Sequence, residues 1–189
     1  MPSAEAKETL RSRVRAARRQ GPPADPIALA RQSAEFLATL AGPRRVTCYA
    51  SYGTEPSTGP LIAQLLAEGY DVLLPRVRGA DLEWVLAGGP TTASPMGIDE
   101  PLGDAVPLLP LRALLVPALA VSLDGARLGK GGGYYDRVLG SLGATPRAPV
   151  VALLRDDDIL PRATVPCDRH DERVDVIITP TQVVHCTIH

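Results

Sequence analysis

The residues best equipped for chemistry lie between Val116 and Arg137, in the run VPALAVSLDGARLGKGGGYYDR. Glycines at 129, 131, 132 and 133 take away the side chains that would hold a ligand off the backbone N–H groups. Arg127 and Lys130 bring two positive charges into the same loop, and a helix is expected to open at Tyr134. A helix start adds unpaired N–H donors and the positive end of its dipole, so the loop suits an anion. Two cations favour a phosphate, and Asp136, one turn further on, is placed to hold the divalent cation that usually accompanies phosphates.

The spacing fits neither common phosphate loop. Three residues separate Gly125 from Gly129-Lys130 where a P-loop has four, and Gly131 stands where that motif needs Ser or Thr. Tyr134 takes the place of the third glycine of a dinucleotide fingerprint. Spacing alone therefore also admits a flexible surface loop.

Other candidates are scattered along the chain. Lys7 and Arg11, four apart, project from one face of an N-terminal helix, and Arg15, Arg18 and Arg19 extend that positive surface; a solvated face is the alternative. Glu55 sits in a loop leaving the carboxyl end of a strand, where α/β proteins place ligands, or is an exposed loop acid. Asp175 interrupts an apolar strand, and a buried carboxylate needs a partner: a metal shared with Asp136, or hydrogen bonds at a strand edge. Asp156, Asp157 and Asp158 read as an exposed helix start rather than a metal cage. His170-Asp171 forms an acid/base pair or a loop turn, His185, Cys186 and His189 resemble a ligand set only by composition, and Trp84 is core or pocket wall.

The elements that must position these residues follow from periodicity. Leu10, Val14 and Ala17 predict a helix over Ala4 to Gln20, stopped by Gly21-Pro22-Pro23. Asp25-Pro26 reads as N-cap and first residue of a second helix reaching toward Gly42-Pro43, and Ser57 or Thr58 as the cap of a third, ending at Glu68. Strands are expected at Val46 to Ser51, Tyr70 to Leu74 (closed by Pro75), Leu82 to Leu86, Leu114 to Val121, Pro149 to Leu154 and Val174 to Thr179. The helix after the glycine loop should end near Gly140 or Gly143, and Gly88 to Pro110 should wrap the surface. This alternation argues for an α/β sandwich with a mainly parallel sheet.

Composition narrows the class. A chain of 189 residues with 45% hydrophobic content suits one domain spanning 1–189. A net charge of -1 speaks against nucleic acid or an anionic membrane as partner. Three unpaired cysteines, Cys48, Cys167 and Cys186, fit reduced thiols in a cytoplasmic protein. No apolar run approaches a membrane span, and Glu5 and Glu8 argue against an organelle transit segment.

Taken together, RLGKGGGYYDR and the VPALAVSLDG before it resemble the signature of the 5-formyltetrahydrofolate cyclo-ligases, also called 5,10-methenyltetrahydrofolate synthetases. Lys7-x-x-x-Arg11, Glu55-x-x-Thr58, Gly97-Ile98-Asp99-Glu100-Pro101 and His170-Asp171 with Val174-Asp175-x-Ile177-Ile178-Thr179 are similar to further motifs of that family, in the same order. Arg155 to Pro166 departs from its relatives, so no ligand contact is carried over there. The resemblance implies a three-layer α/β/α sandwich with a Rossmann-like sheet, NagB/RpiA/CoA transferase-like. It implies ATP- and Mg²⁺-dependent closure of 5-formyltetrahydrofolate to 5,10-methenyltetrahydrofolate by a monomer. Lys7, Arg11, Arg127, Leu128, Gly129, Lys130, Gly131, Gly132, Gly133, Tyr134 and Tyr135 would hold ATP, with Arg127, Lys130 and Tyr135 the catalytic group. Glu55 and Tyr135 would hold the folate, and Asp136 and Asp175 the metal. Readings of other classes are an isomerase or CoA-transferase-like enzyme that needs no ATP, a silent folate or nucleotide binder, and an RNA binder using Arg11 to Arg19.

Overall fold

The computed structural model describes residues 2–93, 99–142, 148–169 and 171–187. Gly97 and Ile98 of the GI-x-EP motif, Gly143, His170 and His189 lie outside the described residues. The main sheet is built on β1 (Arg45–Thr47), β2 (Asp71–Arg78), β3 (Asp81–Leu86), β6 (Ala113–Pro117), β9 (Val150–Leu153), β11 (Val176–Ile178) and β12 (Val183–His185). Their order is β12-β11-β9-β6-β1-β2-β3. The five inner strands are parallel, and β12 and β3 close the edges antiparallel. The fold is thus mixed α/β with a mostly parallel central sheet.

Period-two alternation divides the core between the two faces of this sheet. Leu115, Val151, Leu153, Val176 and Ile178 turn to the face covered by helices α2 (Pro26–Thr39) and α3 (Gly59–Ala67), through Leu29, Leu37, Leu61 and Leu65. Leu114, Val116, Val150, Ala152 and Ile177 turn to the other face, where α4 (Tyr134–Ser141) packs with Leu139. Because both faces are covered, the inner strands read as unbroken apolar runs, which is why they were visible in the sequence.

Helix α1 (Pro2–Gln20) lies outside this sandwich. Its Leu10 and Val14 pack against Ala120 and Leu128 of a second sheet, made of β7 (Ala120–Ser122), β8 (Arg127–Leu128) and β10 (Ile159–Leu160), and against Leu119 and Ala126 beside those strands. A two-stranded ribbon, β4 (Thr91–Ala93) with β5 (Asp99–Pro101), occupies the Gly88 to Pro110 span.

The structure corrects several expected elements. The single strand expected over Leu114 to Val121 is two, because the chain leaves the main sheet after Pro117 and turns the carbonyls of Ala118 and Leu119 to the Arg18 guanidinium, at 3.1 and 2.7 Å. Arg18 is therefore not part of a solvated face. It is 4% exposed and also pairs with Asp158 at 2.9 Å. Asp158 is buried in the same way, so Asp156–Asp158 is a 3-10 turn pinned by its last residue rather than an exposed helix start, with Asp157 left exposed. Strand β2 runs through Pro75 instead of stopping there. Its pairing with β1 ends at Leu73, so beyond that point the missing proline donor is not needed on that side. Thr58 precedes α3 without capping it; its hydroxyl donates to the Tyr49 carbonyl and accepts from the Ser51 N–H at 3.2 Å.

Candidate functional site

The carboxyl ends of β1 and β6 and the outer half of β2 open onto a cavity of about 470 Å³. Strand ends expose backbone and side chains that the sheet itself cannot satisfy, which makes this edge the usual ligand site of such folds. One wall is apolar, formed by Pro75, Val77 and Leu82; Tyr49 and Tyr135 also line the space. The opposite wall is the loop from Gly129 to Gly133, with Lys7 and Arg11 beside it.

The loop's shape depends on glycine at two points: Gly131 has φ +112° and Gly133 φ +66°, conformations that cost other residues about 1 kcal/mol or more. Helix α1 holds the loop in place. Arg11 Nε donates to the Gly129 carbonyl at 2.9 Å, and Arg15 Nη2 to that of Lys130 at 3.3 Å. Below the loop lies Arg127, buried, with its guanidinium on Asp136 Oδ1 at 2.6 Å and on the Pro117 carbonyl at 3.3 Å. Leu128 turns its side chain into the core of the small sheet, so it meets the cavity through its backbone.

Each lysine of the site already holds a carboxylate. Lys7 is paired with Asp171 and, at 2.9 Å, with Asp168. Burial works to lower the Lys7 pKa, but the hydrogen bonds it donates to Asp171 and Asp168 prevail and leave it raised, so the ammonium stays charged. Lys130 binds Glu55 at 2.6 Å and lies 3.2 Å above the centre of the Tyr52 ring. The Glu55 carboxylate is only 3% exposed and also accepts the Tyr52 N–H at 2.9 Å. Tyr134 is half-buried beneath the Arg137 guanidinium, and Tyr135 meets Trp84 edge-on at 6.4 Å. Trp84 is thus core behind the wall.

The predicted residues do not all converge. Lys7, Arg11, Glu55, Arg127 to Tyr135 and Asp136 line the cavity; Asp175 does not. Asp175 precedes β11 at the amino end of the strand, where its Oδ2 accepts the Val150 N–H at 2.7 Å. The register aligns Pro117 with Leu153 and Leu153 with Ile178, three residues further along, so roughly 10 Å of strand separates Asp175 from the cavity's edge. The carboxylate expected to share an ion with Asp136 instead accepts a strand-edge hydrogen bond and does not line the cavity where Asp136 lies. Among the described residues, no three His, Cys, Asp or Glu side chains form a metal cluster.

Residues not singled out in the sequence also face the cavity. Tyr49 and Tyr52 do so just beyond the end of β1, while Asp171, expected as half of an acid/base pair or a loop turn, lines the cavity paired to Lys7. Tyr49 carried one usable signal, its position just beyond a short apolar strand on the ligand-bearing edge. Burial, reinforced by the nearby Glu55 charge, raises the pKa of both the Tyr49 and Tyr135 phenols, which keeps them protonated. Cys48, fully buried behind Tyr49, has its thiol pushed up by burial to about 12 and is no nucleophile at neutral pH.

Fold and site together define an α/β protein with a glycine-walled, cation-lined cavity that also offers an apolar, aromatic wall. A family model described as the 5-formyltetrahydrofolate cyclo-ligase family matches residues 3–180, and the chain belongs to that family. It is 38% identical over 150 residues to the 5-formyltetrahydrofolate cyclo-ligase of Mycolicibacterium smegmatis, covering 72% of this chain and 74% of that one. With the Escherichia coli K12 5-formyltetrahydrofolate cyclo-ligase it shares 32% over 146 residues, covering 73% and 79%. The solved 5,10-methenyltetrahydrofolate synthetase of Aquifex aeolicus superposes with a TM-score of 0.75 at 26% identity, covering 97% of this chain and 94% of the other.

Proposed function

We propose that this cavity is where ATP and 5-formyltetrahydrofolate meet, and that the chain closes the folate to 5,10-methenyltetrahydrofolate with release of ADP and phosphate. Family membership supports the overall reaction and ATP as co-substrate. The observation that carries the site assignment is the Glu55–Lys130 pair, which joins a buried carboxylate suited to ring N–H groups to a lysine on the phosphate loop.

A formamide carbon is a weak electrophile and its oxygen a poor leaving group. In the proposed sequence the formyl oxygen attacks the γ-phosphorus and ADP leaves. N10 then attacks the activated carbon and gives up its proton, and phosphate departs carrying the former formyl oxygen. Such chemistry rests on positioning and charge stabilisation, and needs no protein nucleophile. Lys7, Arg11 and Lys130 neutralise the phosphates, exchanging carboxylate partners for phosphate oxygens, while the glycine backbone lets the chain approach closely. Arg127 supports the loop from beneath and orients Asp136.

The residues present fit a magnesium ion held mainly by nucleotide. Mg²⁺ at phosphate sites takes one or two protein carboxylates and fills its shell with phosphate and water, and Asp136 places one carboxylate at the cavity. Bound there, the ion would offset charge building on the transferred phosphoryl group. The same reading extends to a NagB/RpiA/CoA transferase-like, Rossmann-like three-layer sandwich, a single domain over 1–189, a cytoplasmic setting, a monomer and no nucleic-acid partner. No described helix is long and apolar enough to cross a membrane.

Isotopic labelling tests the sequence of steps. With ¹⁸O in the formyl group, the label should appear in inorganic phosphate, one ADP accompanying each product. Label released to water without ADP would point to the isomerase-like or transferase-like alternatives.

A further inference from the structure

The reaction above accounts for the cations, Asp136 and Glu55, but not for two hydroxyls. The phenolic oxygens of Tyr49 and Tyr135 are both buried, and neither has a hydrogen-bond partner among the described residues. A buried hydroxyl left unpaired costs about 1–3 kcal/mol, so a pair of them on one cavity is a standing demand for an acceptor. Both tyrosines line the cavity, and both phenols feel the charge of Glu55. Tyr49 is 3% exposed, and Trp84 braces the Tyr135 ring, so neither group is a loosely hydrated surface phenol.

We propose that Tyr49 and Tyr135 donate their hydroxyl protons to the lactam carbonyl of the reduced pterin, beside the ring N–H groups that Glu55 accepts. This rests on the cavity being the folate site. On a 2-amino-4-oxo pyrimidine the N–H donors and the carbonyl acceptor are neighbours along one edge. A carboxylate flanked by two hydroxyl donors complements that edge in order. The adjacent formyl oxygen is the poorer choice. It must use a lone pair to attack phosphorus, and two hydrogen bonds to it would hold back the electrons the reaction requires. Tyr49 and Tyr135 are thereby specificity-determining: they reward a ring that keeps its carbonyl and anchor it in the plane from which the formyl group reaches the loop.

The experiment measures dissociation constants by calorimetry, without nucleotide, for wild type, Tyr49→Phe and Tyr135→Phe. The probes are 5-formyltetrahydrofolate and 5-methyltetrahydrofolate, which keeps the lactam but lacks the formyl oxygen. Each variant should weaken binding of both probes about tenfold, the loss of one hydrogen bond. The ligand-free Tyr49→Phe protein should melt no lower than wild type, because it sheds an unpaired hydroxyl. Unchanged affinity for both probes, weakening confined to the formyl compound, or a markedly lower melting temperature in ligand-free Tyr49→Phe would each overturn the proposal. If wild type binds neither probe, the folate-site reading itself fails.

Discussion

Glu55 shows how much a single side chain can carry. Its carboxylate is nearly inaccessible yet ionic, which is tolerable only because Lys130 and the Tyr52 N–H both bind it. Glu55→Gln would keep the shape and remove the charge. The KM for 5-formyltetrahydrofolate is expected to rise about 10- to 100-fold, the worth of a charge-assisted hydrogen bond, with a smaller change for ATP. Steady-state kinetics with each substrate varied in turn checks this; an effect on ATP alone would move Glu55 out of the folate side. Glu55 was legible because it followed a strand. Asp175 misled because an acid inside an apolar run looks alike whether its partner is a metal or a backbone N–H, and only the register distinguishes them.

At the scale of elements, α1 acts as a strap that delivers Lys7 and Arg11 to a loop more than a hundred residues away. Its far end is fixed by Arg18, which reaches Asp158 and the carbonyls of Ala118 and Leu119. Arg18→Ala would leave Asp158 buried without its charge partner, on a group whose pKa burial already raises against the pull of Arg18. The expected loss is about 3–5 kcal/mol in urea unfolding, together with a raised KM for ATP as the strap loosens. Stability unchanged within about 0.5 kcal/mol would show that the bonds are incidental. Helices α1 and α2 were readable from period and caps, Asp25 indeed accepting the Ile27 and Ala28 N–H groups. The small sheet was not, since β8 and β10 span two residues each and carry no period of their own. Strand β12 was missed for a similar reason, its three residues being too few to show a period.

For the whole molecule, the turn between β7 and β8 ties the small sheet to the chain entering β11. Asp124 there pairs with Arg173 at 2.6 Å and accepts the Ala163 N–H at 3.4 Å, and Gly125 lies so close to the Val174 carbonyl that a Cβ would sit 2.4 Å from it. Burial pushes the Asp124 pKa up, but bonds from Ser122 and Arg173 outweigh it and hold it at about 2. A carboxyl with a lowered folded pKa stabilises above its unfolded value, near 4, and loses that contribution as pH falls toward 2. Discounted for solvent screening, the effect is about 1–2 kcal/mol. Asp124→Asn should therefore unfold more easily at pH 7, with the difference vanishing by about pH 2. Equal stability of the two proteins at pH 7 would contradict it. The α/β class and the glycine-rich loop were legible in the sequence because apolar runs and glycines announce themselves locally. The ion pairs that neutralise the site join residues as far apart as Lys7 and Asp171, and no local pattern encodes them.

The account's central claim is that ATP and 5-formyltetrahydrofolate react in one cavity, with Asp136 at the phosphoryl group. Following the absorbance of methenyltetrahydrofolate tests it most directly, in wild type and Asp136→Ala, with and without ATP and Mg²⁺. Product should form only in wild type and only with ATP and Mg²⁺ present; turnover without ATP, or near-normal turnover in Asp136→Ala, would contradict it.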